Sequence, residues 1–341
     1  MILRPKPAPR HYATLAGATS AAPMAMVPTW LRRAIPDAQS LAGKDVEDIA
    51  LAAGAAITTL DAVVRQQERW AGAWRQRLAL SAAAATAKQA GRVEDERALR
   101  DAVLLTRPGD FLSVGPAGLL LLAWRRLATR PRDELRTEKN LAAVLGEFGY
   151  APDDEGVSDL ADDLRQLAAG SGTVATLTGT FMAAERLGFT HAFGAWLADA
   201  LLAQRLGWAH AVPLLGTEAT LGMNPGAPRR AGRVVAATGI EADSDRAKNL
   251  LAAQARAAMR AIDLSAELGR RADRLLAVAP KLRAKAADAV VDKLLSDDTI
   301  VASEKIAGMS DRGLRRLFDR LVELGAVREL SGRPTFRIYG L

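Results

Sequence analysis

Cysteine is absent from this 341-residue chain, and aromatic residues make up only 5% of it. The absence of cysteine excludes disulfides and thiolate zinc sites, and it is compatible with a reducing compartment. The chain has three histidines, and no carboxylate stands at helical spacing from His191 or His210 to complete a metal site. We therefore expect no metal ion, and no sequence motif indicates any other cofactor.

Long apolar runs are also missing from the sequence. The most apolar stretch, residues 114–124, is about half of the ~20 residues that a membrane-spanning helix needs. Residues 1–6 lack the continuous apolar core of a secretory signal. We therefore expect a soluble, cytoplasmic protein that does not associate with a membrane.

Alanine and leucine dominate the composition, and runs of β-branched residues are scarce. This balance favours helix almost everywhere, so we expect a mainly α fold. The net charge is +7, and the isoelectric point is about 10.0. An excess of basic residues favours a polyanionic partner, but the position of the charges decides whether they form a binding surface.

The pattern of Pro, Gly and apolar residues divides the chain into three parts. Residues 1–40 are rich in Pro and Ala and are predicted to be a flexible arm, which touches the body through Trp30 and Leu31. Residues 41–279 are predicted to be an all-helical body with a loop at 222–245, and residues 280–341 a separate module. Helices are predicted at 45–64, 70–90, 93–105, 116–129, 159–169 (capped by Ser158), 173–187, 191–206 and 247–277, the last as one helix or a broken pair.

Two similar segments, 186–193 and 205–212, each follow a predicted helix at an offset of 19 residues. Gly188 and Gly207 stand where a left-handed residue ends a helix, and each precedes an aromatic residue. The pair predicts two matching helix ends, and we expect His191 and His210 to pack there.

The last sixty residues show the order of a winged helix-turn-helix. A first helix is predicted over 281–295, followed by an extended piece at 299–301. Ser303 is predicted to cap a brief second helix at 304–307, and Ser310 a third helix at 311–324. Two strands, 327–330 and 335–339, flank a turn at 331–332 and complete a two-stranded wing.

Basic residues are concentrated on this module. Between residues 312 and 337 there are seven arginines against three acidic residues. A helix fits the major groove of double-stranded DNA, where arginine binds guanine bidentately, and a wing reaches phosphate or the minor groove. The predicted DNA-binding residues are Arg312, Arg315, Arg316, Arg333 and Arg337.

A second charged segment lies in the body at 92–110. Glu96 with Arg100 and Arg97 with Asp101 have the spacing of ion pairs on an exposed helix, which is the simplest interpretation. A polar network between helices and a ligand site or enzyme active site are the alternatives. The candidate residues for a network or ligand are Arg92, Glu96, Arg100, Asp101, Arg107 and Asp110.

Several segments together resemble a known family of bacterial proteins, the domain-of-unknown-function 1403 family. The segments that carry the resemblance are 74–78, 91–96, 99–101, 105–110, 115–118, 206–208, 212–215 and 309–341. They cover most of the chain after the predicted arm. The resemblance implies a helical body with a C-terminal winged helix, and it implies no activity, substrate or cofactor.

The leading hypothesis is a DNA-binding, regulatory protein whose helical body forms a homodimer or senses a partner. The sequence does not identify a small-molecule effector. In the second hypothesis, the winged helix is a module for binding protein, because Asp319 and Glu323 interrupt the basic face. The third is an enzyme that uses the charged segment 92–110.

Overall fold

The protein is mainly helical, with a small antiparallel sheet near its C-terminus. The computed structural model describes residues 27–35, 45–106, 110, 113–151, 153–170, 172–218, 239–282, 284, 286–333 and 336–341. Its α-helices are α1 (Thr29–Ala34), α2 (Val46–Arg65), α3 (Ala71–Gln89), α4 (Glu96–Leu104), α5 (Gly115–Thr129), α6 (Glu138–Glu147), α7 (Asp154–Gly170), α8 (Thr173–Arg186), α9 (His191–Arg205), α10 (Gly239–Val278), α11 (Ala287–Ser296) and α12 (Asp311–Glu323). Its strands are β1 (Ile300–Val301), β2 (Arg328–Glu329) and β3 (Ile338–Gly340), and short 3-10 turns lie at Arg132–Glu134, Leu215–Thr217 and Ala279–Lys281.

Most predicted body helices are confirmed to within three residues of their predicted ends, and capping explains two of the differences. Helix α4 begins at Glu96 because the Asp95 carboxylate accepts the backbone N–H of Ala98. The prediction that Ser158 caps a helix beginning at residue 159 was wrong, because Ser158 lies inside α7. Asp153 accepts the backbone N–H of Gly156 at 2.8 Å, so α7 begins earlier. Helix α6 was not predicted, although the Thr137 hydroxyl caps it.

The ends of the predicted arm and loop are partly ordered into helix. Helix α1 lies within the predicted arm, and Leu31 is buried while Trp30 is half exposed, so one of the two predicted anchors contacts the core. Residues 1–26 and 36–40 of that arm lie outside the described residues. Residues 222–238 of the predicted loop also lie outside them, and α10 then runs unbroken to Val278.

The helices of the body pack around buried tryptophans. Helix α10 lies along α2, α3 packs against α5, and α9 packs against α8. Trp74, Trp124, Trp196 and Trp208 are almost fully buried. Each indole N–H donates a hydrogen bond, to Ala261 O, Thr86 Oγ1, Ala123 O and Asp61 Oδ1 respectively. These four buried indoles therefore have no unsatisfied hydrogen-bond donor. Among the described helices, none is both long and apolar enough to cross a membrane.

The two predicted matching helix ends are confirmed. Gly188 and Gly207 have φ values of 77° and 70°, in the left-handed region that favours glycine. The backbone N–H of Phe189 bonds Ala184 O at 2.8 Å, and that of Trp208 bonds Ala203 O at 2.9 Å. These are the bonds of a Schellman motif, and they fold each aromatic residue back onto its helix.

The C-terminal sheet has the strand order β1-β3-β2, and both pairs are antiparallel. Three details of the prediction were wrong. The first helix, predicted from residue 281, begins at Ala287, because Ala286 has a left-handed backbone (φ 62°) that a continuous helix does not allow. The sheet has three strands instead of two because Ile300 and Val301 pair with Tyr339 and Ile338. The predicted second helix at 304–307 is a loop with turns at its two ends, since four residues before a left-handed Gly308 are too few to nucleate a helix.

The C-terminal residues share one hydrophobic core with the body. Helix α11 packs on α3, and buried residues of α11, α12 and β3 belong to the same cluster as those of the body helices. At the closest approach, a Cβ on Gly72 would lie 2.5 Å from the backbone oxygen of Ser296. Glycine at residue 72 therefore allows the start of α3 to meet the end of α11.

This close approach gives a paired stability prediction. Gly72→Ala is expected to destabilise the fold by about 1–3 kcal/mol, because the new methyl group meets backbone that must move. Gly54→Ala is the control, since Gly54 is exposed within α2 and a Cβ there has nothing within 4 Å. That change should stabilise the protein by about 0.5–1 kcal/mol. Urea unfolding measures both, and equal effects of the two variants would contradict the packing described here.

Candidate nucleic-acid interface

Helix α12 is strongly amphipathic, with one face in the core and the other in solvent. Ser310 begins it by accepting the backbone N–H of Gly313 at 3.1 Å. Its buried side chains are Leu314, Leu317, Phe318 and Leu321. The Phe318 ring stacks on Tyr339 of β3, with centroids 4.2 Å apart and an interplanar angle of 6°. The helix is thus fixed against the sheet, and its opposite face is held outward.

The exposed face carries the three arginines that the sequence predicted for DNA. Arg312, Arg315 and Arg316 are all exposed. Within the described part of the chain, none of the three has an acidic group within ion-pair distance. They follow the N-terminal end of the helix, where the backbone dipole adds positive potential. This group of three, here called the arginine face, is therefore an uncompensated positive surface.

The acidic residues of the same helix are already paired. Asp319 lies 3.7 Å from Arg337 Nη1, and Glu323 Oε2 accepts from Arg320 Nη1 at 2.6 Å. Arg337 is exposed but shares its charge with Asp319, so it contributes less free positive charge than the arginine face. The two carboxylates that interrupt the basic face are thus offset by neighbours on the same module.

The turn between β2 and β3 contacts the body instead of standing free. Arg333 Nη2 lies 2.8 Å from Asp101 Oδ2 of α4, and Arg97 Nη2 donates to Ser331 O at 2.6 Å. The Glu329 carboxylate accepts the backbone N–H groups of Ser331 and Gly332, which fixes the turn. Arg333 is therefore exposed but ion-paired, and the turn is positioned by the charged segment of the body.

A buried carboxylate joins the body to the C-terminal residues. Asp298 is 2% exposed and follows α11. Its Oδ1 accepts from Arg77 Nε in a short ion pair, and its Oδ2 accepts from Arg100 Nε at 3.0 Å. Burial by itself raises the pKa of Asp298, but the positive charges of Arg77, Arg100 and Arg125 outweigh burial and lower it. Asp298 is thus held ionised among arginines from three body helices.

These contacts correct the expected ladder of ion pairs on α4. Arg100 pairs with Asp298 and not with Glu96, and Asp101 pairs with Arg333 and not with Arg97. Arg100 pairs with the distant Asp298 because Arg100 is buried. A buried guanidinium loses its hydration and therefore needs a close acidic partner, whereas an exposed guanidinium does not. The structure therefore places Arg100 and Asp101 in a network between the body and the C-terminal residues.

The other predicted residues of the segment 92–110 do not join this network. Glu96 is half-buried at the start of α4, and Asp110 accepts the hydroxyl of Ser113 at 2.6 Å. Arg92 lines a separate cavity. Arg107 lies outside the described residues. The segment therefore does not converge on a single pocket.

Of the two histidines that the structure describes, His191 begins α9, as expected, whereas His210 lies in the segment after the end of that helix. His191 Nε2 lies 3.3 Å from Glu185 Oε1, and His210 forms an isolated bridge with Pro131. Burial, followed by the charge of Arg75, lowers the pKa of His210 and favours its neutral form. Among the described side chains, no three His, Asp or Glu residues are grouped as metal ligands.

The part of the site that sequence reasoning missed is Asp298. Its carboxylate lies 198 residues along the chain from Arg100, so local spacing carries no sign of the contact. The one available signal is the pair Asp297-Asp298 directly after an apolar helix. Such a pair is typical of a helix end, and Asp297 is the C-cap of α11, but nothing in the pattern indicates the contacts of Asp298.

Comparison with known proteins identifies a family and no further relative. The family model described as "Protein of unknown function (DUF1403)" matches residues 16–341, nearly the whole chain. No curated protein and no solved structure matches.

Proposed function

This chain belongs to the DUF1403 family, whose description names no activity, so we propose its function from the geometry: a regulatory protein that binds double-stranded DNA. The C-terminal residues form a winged helix in this proposal, and α12 is its recognition helix. The order helix, strand, helix, strand, strand and the sheet order β1-β3-β2 support this interpretation. The second helix of the motif is replaced by the loop at 302–310.

The single observation that carries the proposal is the arginine face. A guanidinium offers a planar fork of donors that matches both phosphate and the major-groove edge of guanine. Three of them stand together, exposed and without acidic partners among the described residues, on a helix of 13 residues. An α-helix with its side chains is about 10–12 Å across, which fits a major groove about 12 Å wide.

The contact between the β2–β3 turn and the body limits what the rest of the module contributes. Arg333 reaches DNA in this proposal only by sharing or leaving Asp101, and Arg337 only by sharing Asp319. We therefore assign the main contacts to Arg312, Arg315 and Arg316. The body supplies either a dimer contact or a sensing surface, and the protein acts in the cytoplasm, where bacterial DNA lies.

The test is binding of the full chain to a mixed-sequence DNA duplex, measured by fluorescence anisotropy at low salt. The triple variant Arg312→Ala, Arg315→Ala, Arg316→Ala is expected to bind at least about tenfold more weakly, because each lost contact removes charge from one surface. The matched control replaces Arg130, Arg165 and Arg186 by Ala. These arginines are exposed and ion-paired on the body, and the net charge changes equally.

The outcomes separate DNA binding from general electrostatics. Weaker binding by the arginine-face variant alone supports the proposal. Equal weakening in both triple variants shows that only net charge attracts DNA and contradicts the assignment of α12. No binding by the wild-type chain at low salt contradicts DNA binding altogether, which leaves the winged helix as a module that binds protein.

A further inference from the structure

A cavity of about 430 Å³ lies in the body, away from the arginine face. It is formed where the end of α3, the start of α5, the end of α6 and the start of α9 meet. Its apolar walls are Ala90, Pro116, Leu119, Leu120, Phe148 and Ala192. The volume lies within the range of small-molecule sites, which are mostly apolar with a few polar groups that fix orientation.

Two polar side chains of this cavity have hydrogen-bond donors with no acceptor among the described residues. The Nε of Arg92 is buried and has no hydrogen-bond partner among the described residues. It forms a long ion pair with Glu94, whose Oε1 lies 3.8 Å away, so Arg92 shares its charge with that carboxylate but keeps an unused N–H. The hydroxyl of Thr86, 4% exposed, accepts from Trp124 and donates to nothing in the described part of the chain. Both side chains can therefore donate to a ligand.

Two helix starts add donors of the same kind. Helix α9 begins at His191, and neither its N-cap Thr190 nor any other described side chain caps its first backbone N–H groups. The backbone N–H groups of His191 and Ala192 thus have no acceptor in the described part of the chain, and both residues line the cavity. Helix α5 also starts at this cavity, with Pro116 in its first turn. The positive ends of two helix dipoles add to the charge of Arg92.

The acidic groups nearby are already satisfied. Glu147 lines the cavity, but both of its carboxylate oxygens accept from the guanidinium of Arg126, one of them at 3.1 Å. Glu185 lies against His191 and Arg246, at 3.3 and 2.8 Å. The cavity thus has apolar walls, a neutralised acid and several unused donors.

We propose that this cavity is a binding site for a small monocarboxylic acid with an apolar body. The carboxylate would be held by Arg92, Thr86 and the first backbone N–H groups of α9, with the apolar part against Leu119, Leu120 and Phe148. Charge complementarity selects a carboxylate over a neutral or cationic ligand. The site lies outside the arginine face and does not depend on DNA binding.

The test uses the full chain and isothermal titration calorimetry with three probes: phenylacetate, 2-naphthoate and decanoate. Each is compared with its primary amide, which has a similar shape and no charge. At least one acid is expected to bind with a Kd of about 1 mM or tighter, and its amide about tenfold more weakly. Arg92→Met keeps an unbranched apolar chain and removes the charge, so it should weaken binding of the acid about tenfold.

Two further variants complete the design. Arg165→Met is the control, because Arg165 is exposed on α7 and lies outside the cavity lining. Ala90→Trp fills the cavity mouth from an exposed position and should abolish binding while circular dichroism and thermal unfolding stay as in the wild type. Failure of every acid at millimolar concentration, equal affinity for acid and amide, or unchanged binding by Arg92→Met would each overturn the proposal.

Discussion

Replacement of Asp298 by Ala is expected to lower the free energy of unfolding by about 3–5 kcal/mol, because loss of one partner leaves buried charge uncompensated. Arg77 and Arg100 both bond this carboxylate, and Arg125 adds positive charge beside it. The Nε of Arg125 has no hydrogen-bond partner among the described residues, so this buried guanidinium depends on the charge of Asp298. Urea unfolding of the full chain measures the change.

The control is an aspartate that makes a similar pair at the surface. Asp292 contacts Arg69 at 2.9 Å, and both side chains are more than half exposed. Asp292→Ala should change stability by at most about 1 kcal/mol, because water screens exposed pairs. A loss at Asp298 no larger than that at Asp292 would show that the buried cluster does not join the C-terminal residues to the body.

The pH dependence of Asp298 follows from its lowered pKa. Because the folded pKa lies below that of the unfolded chain, the ionised carboxylate contributes stability above the unfolded pKa. This contribution is lost as pH falls through the folded pKa. The stability difference between wild type and Asp298→Asn should therefore shrink as the solution is acidified from neutral pH.

The second large effect is expected at Asp199, a buried aspartate that has no cationic partner among the described residues. Its Oδ2 accepts the backbone N–H of Leu214 at 2.7 Å and that of Leu215 at 3.0 Å. Asp199→Ala leaves two buried donors unpaired, which should destabilise the fold by about 2–5 kcal/mol. Asp199→Asn keeps one oxygen that can accept both bonds, so thermal or urea unfolding should show a much smaller loss. Equal losses in the two variants would contradict this role.

Asp199 and Asp298 should respond to pH in opposite directions. Burial raises the pKa of Asp199 well above its ordinary value, although the two backbone N–H groups act against the shift. A folded pKa above the unfolded one means that the folded state gains stability as pH falls from the folded toward the unfolded value. The stability of wild type relative to Asp199→Asn should rise over that range. A constant difference would contradict burial as the cause.

Local features of the fold were predicted well because they depend on neighbours in sequence. Apolar spacing gave most body helices, Ser310 gave the start of α12, and Gly188 and Gly207 gave two helix ends. The third strand was missed because it depends on the pairing of Ile300 and Val301 with residues far along the chain. Two other errors were local. Thr137 and Asp153 act as caps, and neither was recognised.

In the candidate site, too, the local features were predicted and the long-range contacts were not. The arginine face lies on one helix, so helical spacing alone brought Arg312, Arg315 and Arg316 together and placed them on the exposed side. The partners of Arg100 and Asp101 depend on contacts between distant parts of the chain. Spacing on α4 predicted pairs within the helix, whereas tertiary packing supplied other partners. The hydrogen-bond donors around the cavity also come from separate helices, so no sequence motif predicts that they lie together.

The most direct test of the central claim is the salt dependence of DNA binding by the wild-type chain and the arginine-face variant. Affinity for a mixed-sequence duplex is measured between about 50 and 200 mM salt, and log K is plotted against log salt. The proposal predicts a steep negative slope for the wild type that becomes shallower by about one to three units in the variant. The same slope and the same affinity in both proteins would contradict it.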